Sequence, residues 1–160
     1  MKIKIMARIL LLFTILISST LFGQTDETKQ VKLAIDTFFE GFHKGDTTLM
    51  KSVMMGKFPT QTTYKNKEGK DVIQTGESSD FLKAIGNRPA DQKWDERLLD
   101  YVIKVDGNMA SAWTPYEFWF NGNFSHCGVN SFQLFHDNGQ WKIVYLIDSR
   151  RRSDCEVNKG

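Results

Sequence analysis

The chain has 160 residues, of which 41% are hydrophobic and 25% charged; this fits one globular domain with a genuine core and excludes a disordered polypeptide. Two Cys and three Pro exclude a disulfide scaffold and a collagen-like chain. A formal net charge of +2 is too small to mark a nucleic-acid binder.

Residues 1–23 read as an address. Lys2, Lys4 and Arg8 make a basic start, residues 9–17 are an apolar run, and Ser18, Ser19 and Gly23 supply small residues. That is the pattern of a secretory signal peptide. The apolar run is about half of what a spanning helix needs, so no stable membrane span is expected. Leu21-Phe22-Gly23-Gln24 resembles bacterial signal ends, which places the mature chain in a periplasm or outside the cell. The leader holds three of the 21 basic residues and none of the 19 acidic ones, so the remainder carries −1 and no nucleic-acid partner is expected.

Residues 24–30 are polar and are expected to be a flexible start, ahead of a domain over 31–152 and a polar tail over 153–160. Val31, Ala34, Ile35, Phe38, Phe39 and Phe42 recur at the spacing of one helix face. Gly45 ends that helix and Asp46 caps a second, whose apolar side is Leu49, Met50, Val53 and Met54. Pro59 breaks the pattern. Residues 60–64 and 71–75 are predicted to pair as a hairpin around a charged turn. Ser78-Ser79-Asp80 opens a third helix, with Phe81, Leu82 and Ile85 apolar. From Trp94 onward, four strands are expected, separated by Asp106-Gly107-Asn108, Asn121-Gly122-Asn123 and Asp137-Asn138-Gly139.

Alternation sorts the faces. Leu99, Tyr101, Ile103 and Val105 share one side. A two-residue turn at Gly107-Asn108 adds Ala110, Ala112, Thr114, Tyr116, Phe118 and Phe120. A three-residue loop with a bulge near Asn121 then keeps Phe124, His126, Gly128, Asn130, Phe132 and Leu134 inside. The last strand adds Trp141, Ile143, Tyr145 and Ile147. Asp100, Glu117 and Asp148 fall outside, so no inward carboxylate is expected. Trp113, Trp119, Val144 and Leu146 form an apolar outer face that predicts a homodimer. Helices ahead of a meander make this an α+β architecture.

At this point the chain resembles the nuclear transport factor 2-like superfamily. The opening helix with Gly45-Asp46 and Leu49 is similar to its start, and Gly139-Gln140-Trp141-Lys142-Ile143-Val144 to its last strand. Phe124-Ser125-His126-Cys127-Gly128-Val129, followed by Asp148-Ser149-Arg150-Arg151, resembles an exported bacterial group named for lumazine binding. The resemblance implies a cone: a curved antiparallel sheet wrapped round N-terminal helices. The superfamily includes steroid isomerases, polyketide cyclases and dehydratases as well as proteins of no known activity, so the fold does not decide function.

His126, flanked by Phe118, is either a general acid–base or a hydrogen-bonded core histidine. Tyr116 is its expected catalytic partner. Tyr101, Thr114, Tyr116, His126, Asn130 and Tyr145 are the candidate ligand contacts. Cys127 and Cys155 either pair as a disulfide in an oxidising compartment or remain thiols. His43, His126 and His136 lack metal-ligand spacing, so no metal or cofactor is expected. Arg150-Arg151-Arg152 is either an anion or membrane contact or a solvated end. Three functions follow: a carrier of a small apolar or aromatic molecule, a proton-transfer isomerase or dehydratase, or an interaction module whose core its own Phe and Trp fill.

Overall fold

The computed structural model describes residues 26–155, so the leader expected over 1–23 and residues 156–160 of the tail lie outside the described residues. Helix α1 covers residues 26–44. It is already helical over 26–30, which the sequence assigned to a flexible start; there Glu27 accepts a 2.7 Å hydrogen bond from the Trp141 indole. The face from Val31 to Phe42 is buried as its spacing requires. Asp46 caps α2 (Thr47–Ser52) by accepting from the Thr48 and Leu49 amides. Strands β1 (Pro59–Lys65) and β2 (Asp71–Glu77) form the hairpin, and α3 (Ser78–Gly86) follows.

The region after Trp94 holds five strands rather than four: β3 (Trp94–Leu98), β4 (Val102–Asp106), β5 (Met109–Phe120), β6 (Asn123–Asp137) and β7 (Gln140–Arg151). The expected first strand is split, β3 and β4 each pairing antiparallel with a different half of β5. At the break the Asp100 carboxylate accepts from the Tyr101 amide, a local bond that competes with the ladder, and Leu99 turns outward at 47% exposure. The sheet order is β2-β1-β7-β6-β5-β3, with β4 also on β5. Among the described strand pairs β1 with β7 is parallel and the others are antiparallel.

Two bulges decide which side chains face inward. Asn121 and Gly122 take φ of 50° and 79° and make a two-residue turn, not the expected three-residue loop. The extra residue is Ser125, inside β6: Phe118 stands opposite His126, and Trp119 opposite Phe124. The inner row from His126 to Leu134 is therefore as expected, whereas Phe124 belongs to the outer face against Trp119. The second bulge is at Val144, where Leu134 pairs with Ile143 but Gln133 with Tyr145. Here β7 changes neighbours: the Ile143 backbone bonds to Val53 and Met55, and β1 takes over from Leu146. Beyond that point the expected parity is reversed. Tyr145 and Ile147 face out; Leu146 and Asp148 face in.

Below the bulges the core is solid. Phe132, Leu134, Trp141, Ile143, Ala110 and Ala112 meet Val31, Ile35, Phe38 and Met50. Phe132 is edge-on to Phe38 and Phe39, with centroids 5.9 and 6.1 Å away.

Candidate functional site

Above this core the sheet and helices part to leave a chamber of about 440 Å³. Phe38, Phe39 and Phe42 of α1, Phe81 of α3, and Trp94, Phe118 and Leu146 of the sheet supply its apolar walls. These rings line the space rather than fill it. Glu96, His126, Asn130, Asp148 and Arg150 supply its polar wall. The volume lies in the lower part of the range for small-molecule sites, about 300–1,000 Å³.

Asp148 reaches this wall because of the Val144 bulge. It is 8% exposed and accepts from the Thr62 hydroxyl at 2.6 Å, the Tyr116 hydroxyl at 3.0 Å and Arg150 Nε at 2.8 Å. Two hydroxyls and a guanidinium thus fix the position of its carboxylate in the wall.

Glu96 sits on β3 opposite Phe118, on the inward alternation of Trp94, Glu96 and Leu98. One oxygen accepts a 2.7 Å bond from Asn130 Nδ2, and its amide donates to His43 Nε2 at 3.0 Å. Burial, with a smaller push from the Asp148 charge, raises its carboxyl to about 7; the Asn130 bond and Arg150 oppose the rise. Burial also lowers His43, which fits a neutral ring accepting that amide.

His126 stacks on Phe118 at 4.9 Å, and its Nδ1 lies 3.1 Å from the Ser125 hydroxyl. Burial above all, then the Arg150 and Arg152 cations, brings its imidazole down to about 4. At neutral pH the wall thus presents a neutral imidazole, a carboxyl near half-protonation and a carboxylate–guanidinium pair. Such a set can orient a polar ligand atom and move a proton at it.

Of the expected site residues, His126 and Asn130 meet at the chamber. Tyr116 does not line it: the ring is 1% exposed and its hydroxyl donates to Asp148 and to the Ser149 carbonyl. Gly128 makes room for that phenol, since a Cβ there would stand 2.8 Å from the ring and 1.8 Å from the Ser149 oxygen. Burial first, then the Asp148 charge, raises the Tyr116 phenol far above its ordinary value. Thr114 is fully buried, and its hydroxyl has no partner among the described residues. Tyr101 donates to Asp36 on α1 beneath the Lys32 ammonium. Tyr145 faces out and bonds Gln61.

The expectation of no inward carboxylate is overturned. Asp148 and Glu96 both face the chamber, while Glu117 stays on the outer face, bonded to the Trp119 indole. Leu146, expected outside, is chamber wall, whereas Trp113 remains 53% exposed. Cys127 and Cys155 are joined by a disulfide, with Cys127 opposite Arg151 on β7. Among the described residues no three His, Cys, Asp or Glu side chains converge to hold a metal, and no helix is long and apolar enough to cross a membrane.

An open curved sheet, its helices on the concave side and a largely apolar chamber with one polar wall between them, defines the nuclear transport factor 2-like fold. Solved structures bear this out. An NTF2-like protein of unknown function from Shewanella baltica is 17% identical, covers 81% of this chain and 97% of its own, and gives a TM-score of 0.56. A candidate dehydratase of the NTF2-like family from Streptomyces avermitilis is 16% identical over 81% and 99% of the two chains, with a TM-score of 0.62. The β subunit of a candidate aromatic-ring-hydroxylating dioxygenase from Novosphingobium aromaticivorans is 14% identical over 81% and 93%, at 0.59. At these identities the likeness establishes the fold. No protein-family model matches the sequence, and no curated protein is significantly similar to it.

Proposed function

We propose that the cone binds one small, flat, mostly apolar molecule and presents a polar atom of it to Glu96, Asn130 and His126. The observation that carries this reading is the chamber of about 440 Å³, aromatic on most sides and polar on one. The Cys127–Cys155 bond, with the leader expected over 1–23, supports action in a periplasm or outside the cell. A homodimer through the outer sheet face belongs to the same reading, supported by the 53% exposure of Trp113. Sedimentation showing only monomer at micromolar concentration removes that part.

The binding test is a titration with 2-naphthol followed by tryptophan fluorescence, since Trp94 lines the chamber. Ala84 also lines it, from an exposed helix position, so Ala84→Phe narrows the space without entering the core. Saturable binding that Ala84→Phe abolishes supports the reading. Binding that the substitution leaves unchanged places the ligand elsewhere and ends it.

A second reading is proton transfer at a bound carbonyl compound. What favours it is a carboxyl at about 7 sharing one wall with a neutral imidazole. Glu96 takes the role expected of Tyr116, whose hydroxyl is committed to Asp148. Exchange of the α-hydrogens of 2-tetralone in D2O, followed by NMR, tests it. The reading requires acceleration by the native protein and its loss in Glu96→Gln; bound tetralone with no acceleration rejects catalysis and leaves binding intact.

A further inference from the structure

We propose that the chamber's ligand is an organic anion, its ring system in the chamber and its negative group held at the mouth by Arg150 and Arg152. This rests on the ligand-binding reading above. A second, wider cavity of about 1150 Å³ adjoins the chamber, and the two meet at Thr60, Thr62, His126 and Arg150, which line both. Its walls are the β1–β2 hairpin on one side and the end of β7 with residues 152–154 on the other.

The charge of that outer space is lopsided. Lys65, Arg150, Arg151 and Arg152 line it against the carboxylates of Asp71 and Asp154. Lys65 is paired with Asp71 at 2.6 Å. Arg151 Nε donates to the Asp154 carbonyl. Arg150 commits Nε and Nη2 to Asp148, which leaves Nη1 for a ligand. Arg152 makes no hydrogen bond or ion pair among the described residues. Both cations are felt at the junction, where they help hold the His126 imidazole neutral.

The tail is built to keep Arg152 there. Cys155 is bonded to Cys127 on β6, so the segment from Arg152 to Asp154 is tied at both ends rather than free to swing away. A guanidinium fixed beside an opening binds a carboxylate or phosphate with less ordering cost than one on a loose end. The Asp148 carboxylate and the partly ionised Glu96 on the chamber wall disfavour a negative group there, so the ligand's anion stays outside and its apolar part points in.

Calorimetry on the mature, oxidised protein tests this with three probes of one ring system: 2-naphthoate, 2-naphthyl phosphate and neutral 2-naphthamide. The expected result is tighter binding of an anion than of the amide by about tenfold or more. That preference shrinks toward unity in Arg152→Gln, while amide affinity stays unchanged, and it weakens with added salt. Whichever anion binds better tells carboxylate from phosphate. Equal affinity for all three overturns the anionic assignment and leaves the chamber reading standing. Binding of none overturns both. An anion preference that survives Arg152→Gln removes Arg152 from the site.

Discussion

The closed end of the cone and its polar end are built on the same strands, β5, β6 and β7, but cohere by different means. At the closed end Ala110, Ala112, Phe132, Leu134 and Ile143 bury against α1, a non-directional gain of about 1.5–3 kcal/mol for each large side chain. At the polar end Tyr116, Asn130 and Asp148 occupy the same inward rows, each held by a specific partner. Burial that stabilises a phenyl ring penalises a carboxylate, and Glu96 shows the penalty in its raised carboxyl. One sheet thus carries a stabilising half and a half that stores chemistry at the expense of stability.

The contrast is sharpest at Phe132, fully buried among the α1 rings. Phe132→Ala is expected to cost about 3–5 kcal/mol in urea denaturation; a loss under about 1 kcal/mol would mean the closed end is not the stabilising half. Next is the disulfide, which closes a 28-residue span. Cys127→Ser with Cys155→Ser is expected to cost about 3–4 kcal/mol on a loop-entropy argument. A midpoint shared by the oxidised and reduced proteins would contradict it.

The pH dependence separates two members of the polar wall. Glu96 holds its proton up to about 7 when folded and to 4.5 when unfolded, so it favours the folded state at low pH and that contribution is lost as pH rises between those values. His126 behaves oppositely. Its folded value of about 4 lies below the ordinary 6.5, so its contribution is present above 6.5 and lost as pH falls to about 4. Each slope is about 1.4 kcal/mol per pH unit, and the two oppose each other from about pH 4.5 to 6.5. Glu96→Gln should therefore leave a protein whose stability rises with pH across that window, and His126→Gln one whose stability falls. Denaturation midpoints at pH 4.5, 5.5 and 6.5 measure this, and parallel profiles for the two variants would refute it. The smallest effect is at Tyr116→Phe, where Asp148 keeps Thr62 and Arg150; about 1 kcal/mol is expected, with chamber binding unchanged.

The same division explains what could be read from the sequence. The α1 face, the Asp46 cap and the two-residue turn at Gly107-Asn108 follow from spacing and local chemistry, and all three stand in the structure. The polar wall was hidden because it depends on where two extra residues fall. One at Ser125 rescues the inward placement of His126; one at Val144 reverses everything after it and brings in Asp148. No local composition marks Val144, since its bulge arises where β7 exchanges the 53–55 segment for β1, a contact between distant parts of the chain. Glu96 had a signal that was missed: Trp94, Glu96 and Leu98 alternate, and a strand begun at Trp94 rather than Leu99 sets the carboxylate beside Phe118.

The bond between Cys127 and Cys155 encloses the β6–β7 turn, whose Asn138 and Gly139 are exposed. Exposed turn tips are where proteases cut first. A single cut there leaves two fragments joined by sulfur, with most of the β6–β7 ladder still zipped between them, and they separate on a gel only after reduction. In surroundings rich in proteases, the bridge gives the molecule tolerance to its first wound.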